Sequence, residues 1–172
     1  MSPHARLCRL LDSATLASND VPVTRFLLVD DHRLFCEGMR ALVSQETHLE
    51  LVAVAHDAAE ARALAAAHDC DVIVVDVSLP GVGGQTLARE LKTAMPFRQV
   101  LMLSMHDEAE IVAQCFDYGA DGYALKSQSP AELFDAIRAV AGGARYLAPR
   151  LARSWGAGRR RGRSADHSPR TH

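Results

Sequence analysis

Residues 71–81 read Asp71-Val72-Ile73-Val74-Val75-Asp76-Val77-Ser78-Leu79-Pro80-Gly81. Four consecutive β-branched apolar residues leave no polar face, the pattern of a strand buried on both sides of a sheet. The run closes on a carboxylate, Asp76, and a Pro/Gly loop leads to a helical pattern from about Gly84 to Met95. In an open α/β sheet, the C-terminal ends of the strands form the crevice where ligands bind. Asp76 therefore falls where such a fold places its chemistry.

The same grammar repeats on either side. Upstream, a strand over 25–30 leads to a helix with Leu34, Phe35, Met39, Leu42 and Val43 on its inner side. A strand over 49–55 precedes an Ala-rich helix opened by Asp57, with Glu60 three residues on in a capping-box arrangement. Downstream, a strand over 99–104 leads to a helix from about Asp107 to Tyr118, stopped at Gly119. A strand over 122–125 leads to a helix opened by Ser129-Pro130-Ala131-Glu132 and ended by Gly142-Gly143. Five strand–helix units in succession predict an α/β domain, a parallel sheet covered on both faces.

Polar groups close the other runs as Asp76 closes the third. Asp30-Asp31 follow Phe26-Leu27-Leu28-Val29, Ser104 follows Val100-Leu101-Met102-Leu103, and Lys126 follows Tyr123-Ala124-Leu125. Adjacent carboxylates repel unless a cation sits among them, and Mg2+ prefers oxygen ligands. Asp30-Asp31 alone could simply favour the start of the next helix; together with Asp76, Ser104 and Lys126 they describe a metal-plus-phosphoryl site. A carboxylate can take a phosphoryl group as a nucleophile, and the metal and cations neutralise the transferring oxygens. Asp76 is the best acceptor because it ends the most apolar run. His32 and His106 lie just past strand ends and read as helix-start or rim residues.

The chain has 172 residues, a 48% hydrophobic fraction and a net charge of −2. That is room for one domain with tails. The charge is uneven: residues 150–172 carry seven Arg and one Asp, so the acidic body is followed by a basic tail. Cys8, Cys36, Cys70 and Cys115 have no C-x-x-C spacing and read as reduced thiols of a cytoplasmic protein. No signal peptide and no apolar run of membrane-spanning length is evident. Residues 1–23 read as a loose extension with a short helical turn around Leu7 to Leu16, and the Arg-rich segment after Pro149 reads as disordered.

Asp30-Asp31, Asp76-x-x-Leu79-Pro80-Gly81-x-x-Gly84, Ser104 and Asp121-Gly122-Tyr123-x-x-Lys126 resemble the receiver domain of bacterial two-component response regulators. Asp30-Asp31-His32, Ser104-Met105-His106-Asp107-Glu108 and Gly119-Ala120-Asp121-Gly122-Tyr123 are similar to its NarL/FixJ (LuxR-type) subgroup. The resemblance covers residues 24–145 and leaves 146–172 as a basic tail. It implies a flavodoxin-like, doubly wound five-stranded sheet of order 2-1-3-4-5. It also implies that Asp76 accepts phosphate from a sensor histidine kinase, and that Asp30, Asp31, Asp76 and the Ser78 carbonyl hold Mg2+. Lys126 and Ser104 then bind the phosphoryl group, Ser104 and Tyr123 act as the switch, and phosphorylation favours a homodimer.

The subgroup usually carries a C-terminal helix-turn-helix of roughly 60 residues, and no helical apolar period follows Pro149. His167-Ser168-Pro169-Arg170 is faintly similar to the start of such a domain, so a truncated or frameshifted DNA-binding regulator is the alternative reading. The Arg-rich tail by itself predicts only weak, salt-dependent contact with nucleic acid. Two other α/β readings fail on spacing. A haloacid-dehalogenase phosphatase wants a second acid two residues after the nucleophile, where Ser78 stands. A flavodoxin-like cofactor binder wants a Ser/Thr/Gly-rich phosphate loop where Asp30-Asp31 stand.

Overall fold

The computed structural model describes residues 21–162, with side chains to Trp155. The sequence-derived helical turn at 7–16 and the 167–170 stretch lie outside the described residues. Six parallel strands form one sheet: β1 (Thr24–Val29), β2 (Leu49–Ala55), β3 (Val72–Asp76), β4 (Gln99–Ser104), β5 (Gly122–Leu125) and β6 (Tyr146–Leu147). Their order is β2-β1-β3-β4-β5-β6. Among the described residues six helices accompany them: α1 (Arg33–Val43), α2 (Ala58–Ala67), α3 (Gly84–Ala94), α4 (Ala109–Asp117), α5 (Pro130–Ala141) and α6 (Pro149–Gly162).

Alternation along each strand sorts the core into two layers. Leu27, Val29, Ile73, Val75, Val100, Met102 and Tyr123 pack with α2, α3 and α4. Phe26, Leu28, Val72, Val74, Leu101 and Leu103 pack with α1 and α5. β3 is buried along its whole length between β1 and β4, as its unbroken apolar run requires.

Helix starts follow local chemistry. At α5, the Ser129 hydroxyl accepts the Glu132 N–H at 3.3 Å and the Glu132 carboxylate accepts the Ser129 N–H at 2.9 Å, closing a capping box. At α2, Asp57 accepts the Glu60 N–H at 2.8 Å, but the Glu60 carboxylate reaches His56 N–H instead, one residue earlier than a full box.

Three expectations are corrected. The sheet has six strands, because Tyr146–Leu147 pair with β5. The segment after Pro149 is a helix to Gly162; Leu151 is buried and Trp155 packs against the α2–α4 layer, so two apolar anchors four residues apart suffice to seat it. On α1 the buried stripe is Cys36, Met39 and Val43, whereas Leu34 is 88% exposed and Leu42 is also exposed. Positions 36, 39 and 43 keep one helical face, and 34 and 42 turn off it.

Register positions the site. Val29 pairs with Val75, so Asp30 and Asp76 come out side by side one residue later. Ser104 pairs with Leu125, which puts Lys126 one step beyond the same edge. α3 begins hard against this edge: a Cβ on Gly84 would collide with the Asp76 carbonyl oxygen and lie 2.8 Å from Val77 Cα. Only glycine allows that approach.

Candidate functional site

Asp30 and Asp76 are both buried, and Lys126 bridges them from the end of β5. Its ammonium lies 2.7 Å from Asp30 Oδ2 and 3.2 Å from Asp76 Oδ2, with its side chain only 8% exposed. The Asp30 contact is a close, buried ion pair. The ammonium also sits 4.9 Å above the Phe35 ring of α1, which encloses it from the outer side. Asp76 Oδ1 accepts the Ser78 N–H at 3.0 Å.

Asp31 is half-buried, and its Oδ1 is buried without a hydrogen-bond partner. The His32 ring, still 63% exposed, folds back over the acids. Its Nδ1 is 3.0 Å from Asp30 Oδ1, 3.4 Å from Asp31 Oδ1 and 3.7 Å from Asp76 Oδ2. One donor atom from each of Asp30, Asp31, His32 and Asp76 falls within 4.8 Å of the others, a cluster that could hold a metal ion. Three clustered carboxylates share one lysine and Asp31 Oδ1 has no hydrogen-bond partner, so the oxygen-rich donor set fits a divalent cation.

Electrostatics agree. Burial, and then the Asp30 charge, push the Asp76 carboxyl above its ordinary range; the Ser78 N–H and Lys126 pull the other way without cancelling the shift. Burial pulls Lys126 down, but Asp30 and Asp76 outweigh it and hold the ammonium protonated. The pocket therefore has more negative charge than one lysine neutralises.

Ser104 and Tyr123 lie one layer away. Ser104 is fully buried, and its hydroxyl accepts the His106 N–H at 2.9 Å rather than bonding Asp76 or Lys126. The Tyr123 phenol points inward and donates to the His106 carbonyl at 2.8 Å. Burial raises the Tyr123 hydroxyl to about 12, so it is a neutral donor. Both switch candidates are thus tied to the loop after β4.

Sequence reasoning placed His32 as a helix-start residue, which it is; it caps α1 in position but makes no side-chain cap, because its ring goes into the pocket. It missed His56, whose Nδ1 lies 2.9 Å from the Asp30 carbonyl oxygen. A signal existed: Val29 pairs with Ala55, so the residue after β2 stands beside Asp30 by the same rule that places Asp76 there. Burial raises the thiols of Cys36 to about 11 and Cys115 to about 12, in keeping with inert core cysteines.

A parallel α/β sheet with an acidic pocket and a strand-end lysine at its C-terminal edge defines a phosphosignalling domain. The chain belongs to the response regulator receiver domain family, whose model matches residues 26–138. It is 35% identical over 127 residues to the transcriptional regulatory protein DegU of Brevibacillus brevis, covering 74% of this chain and 54% of the relative. It is 37% identical over 125 residues to the nitrate/nitrite response regulator protein NarP of Escherichia coli, covering 73% and 58%. The crystal structure of a LuxR-family two-component response regulator from Aurantimonas superposes with a TM-score of 0.75 at 36% identity, covering 80% of this chain and 98% of that one. The chain spans somewhat over half the length of these curated relatives. Receiver-domain response regulators are signalling proteins, not turnover enzymes, and no described helix is long and apolar enough to cross a membrane.

Proposed function

We propose that this receiver takes a phosphoryl group onto Asp76 from a sensor histidine kinase, and that Asp30, Asp31, Asp76 and the Ser78 carbonyl hold Mg2+ for the transfer. The observation that carries this reading is the convergence of Asp30 and Asp76 on Lys126, at 2.7 and 3.2 Å, with Asp31 in the same cluster. A bound Mg2+ would supply positive charge to the phosphoryl oxygens. An Asp76 carboxylate oxygen attacks phosphorus as the bond to the donor's leaving group breaks, forming an acyl phosphate. Lys126 supplies a fixed charge to the transferring group.

The new group brings close to two negative charges to Asp76. The Ser104 hydroxyl, now an acceptor for His106 N–H, turns its own hydrogen toward the phosphoryl oxygens. That frees the loop to which Tyr123 is bonded, so Ser104 and Tyr123 move together as a two-state face. Because the relative DegU is a transcriptional regulatory protein, we read the output as transcription, with homodimerisation as the intermediate step and the cytoplasm as its place. The Arg-rich tail contributes at most weak, salt-dependent contact with nucleic acid.

Incubation with a small acyl-phosphate donor and Mg2+ tests the reading. The native chain takes up one phosphoryl group, chelation of Mg2+ abolishes uptake, and Asp76→Asn takes up none. Labelling of Asp76→Asn at the native rate would sink it.

A further inference from the structure

His32 is the one member of the cluster that a purely oxygen-ligated Mg2+ site does not call for. Its Nδ1 stands 3.0, 3.4 and 3.7 Å from one oxygen each of Asp30, Asp31 and Asp76. Ligands bound at about 2.1 Å to one octahedral ion lie roughly 3.0 Å apart when adjacent and roughly 4.2 Å when opposite. The nitrogen is thus near adjacent-ligand spacing from Asp30, where it makes a hydrogen-bond contact, and from Asp31, while its 3.7 Å from Asp76 lies between the adjacent and opposite values. The backbone holds it there. His32 N–H donates to Asp30 Oδ1 at 2.9 Å, closing a tight turn, and the ring is left free of any helix-capping bond. Separately, Asp31 Oδ1 is buried without a hydrogen-bond donor, whereas Asp30 Oδ2 is held by Lys126 at 2.7 Å, so the unused ligand capacity of the pocket lies at Asp31.

We infer that His32 is a nitrogen ligand of this pocket and biases it toward a first-row transition cation such as Mn2+ over Mg2+. The inference rests on the proposed cation-binding role of the acids. Its chemistry is the difference between the donors. Mg2+ is hard and keeps water in preference to imidazole, whereas imidazole suits the later divalent metals, whose affinity for nitrogen rises from Mn2+ towards Cu2+. Three carboxylates with one imidazole accept either ion, but only the transition ion gains from the nitrogen. The Lys126 ammonium lies 3.4 Å from His32 Nδ1 and contacts Asp30 and Asp76, so it competes with any cation for the same groups.

The test uses the full chain stripped of metal, titrated with MnCl2 and with MgCl2 by calorimetry, with electron spin-echo spectroscopy of the Mn2+ complex. Native protein binds Mn2+ more tightly than Mg2+, Mg2+ in excess displaces the Mn2+, and the spectrum carries modulation from a directly bound imidazole nitrogen. In His32→Ala that modulation disappears and Mn2+ binding weakens by about tenfold or more, with Mg2+ binding changed by less than about twofold. Unchanged Mg2+ affinity also reports that the variant pocket is intact. Absence of bound nitrogen in the native spectrum overturns the inference by itself, whatever the variant does. An equal loss for both metals, or none for either, overturns it too. Failure of the native chain to bind either cation would instead overturn the proposed function on which the inference rests.

Discussion

Aspartates stand at both edges of this sheet and are treated in opposite ways. At the N-terminal edge, Asp71 accepts the Arg25 N–H at 2.8 Å. There, too, Asp121 accepts the Val100 N–H at 2.8 Å and the Lys92 ammonium at 3.0 Å. Each of these carboxylates ties a neighbouring strand start in place. At the C-terminal edge, Asp30 and Asp76 are more deeply buried, and a single lysine serves both. Residue type and strand-end position are shared; donor supply separates a structural carboxylate from a reactive one. A fully satisfied acid has nothing left to offer a ligand, and an under-satisfied buried one stores a desolvation cost that a cation can relieve.

The sharpest way to break the contrast is to remove the shared lysine. Lys126→Met leaves two buried carboxylates facing each other, and uncompensated buried charge costs about 3–5 kcal/mol. Urea denaturation in metal-free buffer should show a loss of that order, and added Mg2+ should recover more stability in the variant than in the native chain. A deficit insensitive to Mg2+ would mean that the pocket does not exchange one cation for another. At the opposite edge, Asp121→Ala removes two charge-assisted bonds and should cost about 1–3 kcal/mol, with phosphoryl uptake unaffected. A drop in uptake matching the drop in Tm would erase the distinction between the edges.

The smallest effect is a pH dependence. Burial raises the folded Asp76 carboxyl above its ordinary 3.8. Below 3.8 the group is protonated in both states and contributes nothing. As pH rises through the window up to the raised folded value, the unfolded chain releases its proton first, and stability falls. Above that window the penalty is complete. Asp76→Asn removes this titration, so in metal-free buffer it should be more stable than the native chain at pH 7, with the gap narrowing towards pH 4. A gap constant with pH would assign the gain to packing instead.

Much of this was legible in the residues. The runs at 26–29, 72–75 and 100–103 have no polar face, so burial on both sides and parallel pairing followed from composition. A polar residue one step past each run then fell on a common edge for any in-register sheet, which is why Asp30, Asp76, Ser104 and Lys126 could be named together. α6 was not legible, because its Arg-rich composition has no sustained apolar period. Leu151 and Trp155 become anchors only once β6 has brought them to the α2–α4 layer. Leu34 misled for the complementary reason: it is apolar yet stands on the opposite side of the helix from the face that Cys36, Met39 and Val43 bury.

Sequence alone thus determined the strand–helix alternation and the chemical types gathered at one sheet edge, because hydrophobic period and strand-end position are local properties. Only the tertiary structure decided which carboxylates are satisfied, that the His32 ring enters the pocket, that His56 supports Asp30, and that Ser104 and Tyr123 are held by His106. Those are matters of distance between segments far apart in the chain. They depend on register and burial, which no single stretch of residues encodes.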